Sequence, residues 1–177
     1  MVSSLESRAR LEAVAGRQAG YVTAAQALAC GYSHQAQWYH RDRGHWIPVR
    51  RGIVRLAERD PSPHERFLVA ALWAGPGSVV SHFSAVAVHG LGRTPPRARA
   101  AVIAPARRVR QHDEFQVRVG EVPAQERQDA GGFEVTTPAR TLADVRASRT
   151  PMGRRWLAAA LERGLVTPME AADLAQR

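Results

Sequence analysis

The chain has 177 residues and contains no lysine: all 25 basic side chains are arginine. It has one cysteine, Cys30, which excludes an internal disulfide framework and any zinc site built on paired thiolates. No stretch approaches the roughly 18 apolar residues of a membrane span. The opening MVSSLESRARLEAVAG carries early acids and no apolar core, so no secretory signal is expected there. No H-E-x-x-H, G-x-S-x-G, phosphate-binding glycine loop or paired-cysteine pattern occurs. The expectation from these absences is a protein without metal or cofactor, without enzymatic activity and without membrane contact, residing in a reducing cytoplasm.

What is present is a globular composition with a strong positive bias. Apolar residues make up 45%, and 31 of them are alanine, so the core rests on fewer large side chains than that share suggests. The length accommodates one domain or two small ones and a real hydrophobic core. The formal net charge is +9, and it is uneven. Residues 31–59 hold six Arg against Asp42 and Glu58, and residues 93–110 hold six Arg and no acid. Clustered positive charge is the footprint of a protein that meets a phosphate backbone. A GC-rich coding bias explains arginine replacing lysine, but not the clustering.

The pattern predicts an α+β protein. A helix is expected over 5–19, ended by Gly20. Thr23 heads a second helix, with Gln26 at capping-box spacing, and Gly31 stops it. Ser33 heads a third, HQAQWYHRDR, stopped by Gly44. Two short helices joined by a tight glycine turn are the helix-turn-helix signature. Two β-prone runs follow, HWIPV at 45–49 and GIVRL at 52–56, and a hairpin in that place makes a winged helix. Pro48 marks the first run as an edge strand. ERDPSP at 58–63 is the candidate linker, so the expected domains are 1–59, a winged helix-turn-helix, and 60–177, a mixed α+β domain. There, helices are expected from Pro63 to about Trp73, from Ser81 to Gly90, over PARTLADVRA after Thr137, and at about 152–163 and 168–176. Strands are expected at Val79-Val80, 99–103, 115–119 and 133–136.

The helix after Ser33 is the sharpest candidate site. The second helix of such a motif lies in the major groove. His34, Gln35, Gln37, Arg41 and Tyr39 are expected to face solvent, Gln and Arg being able to pair with adenine and guanine. Trp38 is expected inside, as the apolar anchor of a small domain. Thr23 and Ser33 place backbone N–H groups where a phosphate could sit. Arg43, Arg50, Arg51 and Arg55 lie on or beside the hairpin, where arginine can grip phosphates or enter the minor groove. Arg93, Arg97, Arg99, Arg107, Arg108 and Arg110 form a second basic patch, suited to extending a DNA footprint or to meeting an acidic protein. Ser81 and His82 are adjacent; on a helix such neighbours diverge by about 100°, so no catalytic dyad is expected. Asp144 is expected to pair with Arg140, four residues earlier.

Several stretches resemble a known family. G-Y-V-T-A-A-Q-A at Gly20–Ala27, G-Y-S at Gly31–Ser33 and R-G-H-W-I-P-V-R-R-G-I-V-R-L at Arg43–Leu56 resemble the N-terminal winged helix of AbiEi-type antitoxins of type IV toxin–antitoxin systems. Val54 departs from the tyrosine usual near that position. S-H-F-S-A-V-A-V-H-G-L at Ser81–Leu91 and T-T-P-A-R-T-L-A-D at Thr136–Asp144 resemble motifs of the family's second domain. They single out Ser81, His82, His89, Thr137, Arg140, Thr141 and Asp144. The resemblance implies a transcriptional autorepressor that binds double-stranded DNA at its own promoter and counters a nucleotidyltransferase-like toxin. A related group carries a C-terminal nuclease-like domain, for which this chain ends too soon at Arg177. Two other readings stay open: a remnant or truncated relative of such a two-domain protein, and a toxin-binding interaction module working through residues 63–177.

Overall fold

The computed structural model describes residues 4–93, 98–105, 113–147 and 153–176. The fold is α+β, in two compact units: residues 1–73 with 131–133, and residues 74–130 with 134–177.

The first unit opens with α1 (Ser4–Gly16), which stops short of the expected residue 19. The chain turns there, and the Gln18 side-chain amide donates to Tyr21 O and to Gln26 Oε1. After β1 (Tyr21–Thr23) come α2 (Ala24–Ala29), α3 (His34–Asp42), β2 (Trp46–Arg50) and β3 (Ile53–Leu56). The three strands are antiparallel in the order β1-β3-β2, so Pro48 does sit on an edge strand, where its missing N–H breaks no internal ladder bond. Leu11, Ala15, Val22, Ala27, Cys30, Trp46 and Leu56 form the core.

The expected boundary after residue 59 falls inside this unit. Tyr21 supplies the reason: its hydroxyl donates to Glu65 and accepts from the amide of Ser62. That ties the 58–63 segment and the start of α4 (Glu65–Ala74) to the first sheet. Phe133 joins the same unit, its ring meeting His64 edge-on at 6.3 Å.

The second unit holds a mixed five-stranded sheet in the order β6-β5-β4-β8-β7. Its strands are β4 (Val79–Val80), β5 (Ala100–Ala104), β6 (Phe115–Val119), β7 (Arg127–Asp129) and β8 (Glu134–Thr136). β4 runs parallel to β8, and β5 parallel to β6; β4–β5 and β7–β8 are antiparallel. Two helices leave the ends of the parallel pair: α5 (His82–Val88) after β4, and α6 (Pro138–Ala147) after β8. α7 (Gly153–Glu162) and α8 (Pro168–Gln176) complete a core of Val86, Leu91, Leu142, Val145, Trp156, Ala160, Val166 and Ala171. Thr167 and Glu170 cap α8 reciprocally, the Glu170 amide donating to the Thr167 hydroxyl and the Thr167 amide to the Glu170 carboxylate. β7 was not expected, because Arg-Gln-Asp shows no apolar alternation; antiparallel pairing with β8 alone makes it a strand.

Candidate nucleic-acid interface

Local chemistry sets the α2–α3 pair. Thr23 Oγ1 accepts from the Gln26 amide at 3.2 Å, and Gln26 Oε1 accepts from the Thr23 amide at 2.8 Å. Gly31, at φ +100°, takes the left-handed conformation that lets the chain turn between the helices. Ser33 then caps α3, its Oγ accepting from the Ala36 amide at 3.2 Å. These bonds correct one expectation. The Thr23 amide is held by Gln26 and the Ala24 amide by Gly52 O, so the α2 start is bound up within the unit rather than turned toward a phosphate.

α3 departs from expectation at two positions. Gln37 is buried, at 7% exposure. Its side-chain amide donates to Ala24 O at 3.2 Å and to Tyr32 O at 3.0 Å, bracing α2 against α3. It is therefore not a base reader. Gln37→Ala is expected to cost about 1–2 kcal/mol, the range for losing buried hydrogen bonds, seen as a lower urea midpoint with no change in base preference. Trp38 is the converse: expected inside, it is 59% exposed. The anchor is Trp46, at 4% exposure, with Tyr32 at 5.1 Å and His40 stacked on it at 4.9 Å. His40 Nδ1 lies 3.2 Å from His45 Nδ1, which links α3 to the start of β2.

His34, Gln35, Arg41 and Arg43 are exposed on α3 and just beyond it. Arg43 lies over the Tyr39 ring at 5.5 Å, and Arg41 Nε donates to Gln37 O at 3.3 Å. Gly52, at φ +78°, reverses the hairpin and leaves Arg51 exposed at its tip, with Arg50 half-buried beside it. Arg41, Arg50 and Arg51 line a groove of about 360 Å³ bordered by α2, α3 and the hairpin, with Trp46, Pro48 and Val54 also in its lining. Arg55 does not join them. It pairs across from Tyr21 on β1, and its guanidinium donates to Arg59 O, so it serves the sheet.

Of the second basic patch, Arg93 and Arg99 are exposed, whereas Arg97, Arg107, Arg108 and Arg110 lie outside the described residues.

The motif residues of the second unit converge on the sheet end from which α5 and α6 depart. Ser81 Oγ is 3.0 Å from His82 Nδ1, contrary to the expectation that these neighbours diverge. Helical spacing does not apply there, because Ser81 is extended and His82 adopts φ +52°. His82 Nδ1 is 4.0 Å from Asp144 Oδ2, and Asp144 Oδ1 accepts from Arg140 Nε at 2.9 Å. Arg140 also pairs with Glu126. Thr136 and Thr141 share a hydroxyl hydrogen bond of 2.7 Å, and His89 Nε2 lies 2.7 Å from Thr136 O. Thr137 Oγ1 accepts from the Arg140 amide. Ser81 is fully buried, and these contacts join β4, β8, α5 and α6.

Burial holds His40, His82 and His89 below the ordinary histidine value of 6.5. At His82, Asp144 opposes this, while Arg118 and Arg140 reinforce it. The unfolded chain takes up these protons near 6.5 and the folded chain only below it. Stability is thus complete above 6.5 and is lost as pH falls through the folded values. Thermal melts are expected to show a constant midpoint above neutrality and a falling one on acidification, with a shallower fall in His89→Gln.

Among the described residues, no group of three His, Cys, Asp or Glu side chains is placed to hold a metal ion. Among them, no helix is long and apolar enough to cross a membrane. No protein-family model matches the chain, and no curated protein matches it.

Proposed function

We propose that this chain is a non-catalytic, double-stranded-DNA-binding repressor of its own promoter, acting in the cytoplasm as the antitoxin of a type IV system against a nucleotidyltransferase-like toxin. The carrying observation is the groove bordered by α2, α3 and the β2–β3 hairpin, lined by Arg41, Arg50 and Arg51. On this reading the first unit is a winged helix: α3 enters the major groove, and the hairpin arginines grip the flanking backbone. Arginine suits both tasks, since its planar fork pairs with phosphate and with guanine. The antitoxin role rests on the resemblance of Gly20–Leu56, Ser81–Leu91 and Thr136–Asp144 to AbiEi-type sequences.

Filter binding to the chain's own promoter tests the DNA reading. If about six phosphates are contacted, log K falls against log salt with a slope of about −5. Binding without salt dependence, or without preference over random duplex, sinks it. Rescue of growth on co-expression with a neighbouring nucleotidyltransferase-like gene tests the antitoxin half.

A further inference from the structure

Trp38 is a large apolar side chain that the fold leaves unused. It is 59% exposed, lies outside the first unit's core, and among the described residues makes no hydrogen bond or ring contact. Tryptophan carries a large hydrophobic payload when buried, so a sequence that encloses Trp46 yet presents Trp38 leaves that payload available for a partner. Its position is specific. On a helix of 3.6 residues per turn, His34, Gln35, Arg41 and Asp42 lie within about 60° of Trp38, and all four are exposed. The indole therefore sits at the centre of the outward face of α3, ringed by polar side chains and continuous through Arg41 with the arginine-lined groove.

We propose that Trp38 is a specificity-determining residue that reads thymine in the major groove by packing against its C5-methyl group. The inference rests on the DNA-binding reading above and deepens it. Thymine is the only base that offers an apolar group in the major groove, and an apolar side chain is what recognises it. The surrounding charge favours nucleic acid over an acidic protein: Arg41 adjoins Trp38 on the same helix face and borders the groove shared with Arg50 and Arg51 of the hairpin, and the other polar residues of the face carry base-reading groups. Asp42, the one acid on the face, is suited to accept from a cytosine amino group, so a thymine–cytosine neighbourhood is the expected signature.

The test uses the full chain and duplexes recovered from a random pool by binding. Each thymine in the recovered site is exchanged singly for deoxyuridine, which removes only the methyl group. At one or two positions the exchange is expected to weaken wild-type binding about fourfold, the factor for one apolar carbon taken from water. In Trp38→Ala the same exchanges should have no effect, while the protein melts at the wild-type temperature. Trp38→Leu, which keeps apolar surface, should retain part of the sensitivity. If wild-type binding is indifferent to every exchange, or if Trp38→Ala remains as sensitive as wild type, the proposal is overturned while DNA binding stands. Failure to recover any bound duplex overturns the DNA reading itself. Capture of an acidic protein by Trp38, with duplex binding unaffected by Trp38→Ala, also overturns the proposal.

Discussion

Replacing Arg41, Arg50 and Arg51 together by alanine is expected to lower promoter affinity by about 10²–10³-fold at 0.1 M salt. Each neutralised phosphate contributes about 0.9 of a log unit to binding there, and three such contacts account for the range. The slope of log K against log salt should become shallower by roughly 2.7. Random duplex should lose affinity with the promoter, because phosphate contacts carry no sequence information. Arg41 and Arg51 are exposed and Arg50 half-buried, and a thermal melt of the triple variant separates loss of binding from loss of fold. A variant that folds and binds with unchanged affinity and slope would remove the groove from the interface. The exposed Arg99 of the second unit is the matched comparison. A loss of about eightfold in Arg99→Ala, the share of one phosphate contact, would extend the footprint to the second basic segment.

Trp46→Ala is expected to destabilise the first unit by about 3–5 kcal/mol, the cost of removing a large buried aromatic side chain. Trp46 lies against the ring of Tyr32 and under that of His40, within the core that includes Leu11, Val22 and Leu56. No other tryptophan stands in this core, and neighbours pinned by α1, α3 and the sheet collapse only partly into the space left. Against a typical domain stability of about 5–15 kcal/mol, that leaves a marginal unit. Urea denaturation followed by far-ultraviolet circular dichroism measures it. Trp38→Ala is the contrast, expected within about 0.5 kcal/mol of wild type as a surface substitution. Equal losses from the two substitutions would contradict the burial of one and the exposure of the other.

The difference between these two tryptophans shows where sequence reading stops. Both are equally apolar, and a short helix offers too few apolar positions to orient itself. What encloses Trp46 is a core gathered from residues as distant as Leu11 and Leu56, with the rings of Tyr32 and His40 against it. Trp38 was nevertheless traceable. It projects from the middle of a face whose other members, His34, Gln35, Arg41 and Asp42, are all polar, and that arrangement argues for the surface. Gln37 departs from its expected exposure for a related reason. A glutamine in a helix reads as solvent-facing until two backbone carbonyls, Ala24 O and Tyr32 O, are found within its reach.

By itself, the amino-acid sequence determined the local punctuation of this protein. Thr23 with Gln26, Ser33 and Thr137 start helices, and Gly31 and Gly44 stop them, because caps and turns are decided within a few residues. The α+β class and the edge position of Pro48 follow from the same short-range rules. Only the tertiary structure decided which tryptophan faces out, which arginines border one groove while Arg55 turns to the sheet, and that Ser81 and His82 meet beside Asp144. Those outcomes depend on parallel pairing of β4 with β8, on a hairpin laid against a helix and on a left-handed backbone at His82. Each brings together residues far apart in the chain or breaks the local periodicity, and neither effect is carried by neighbouring residue types alone.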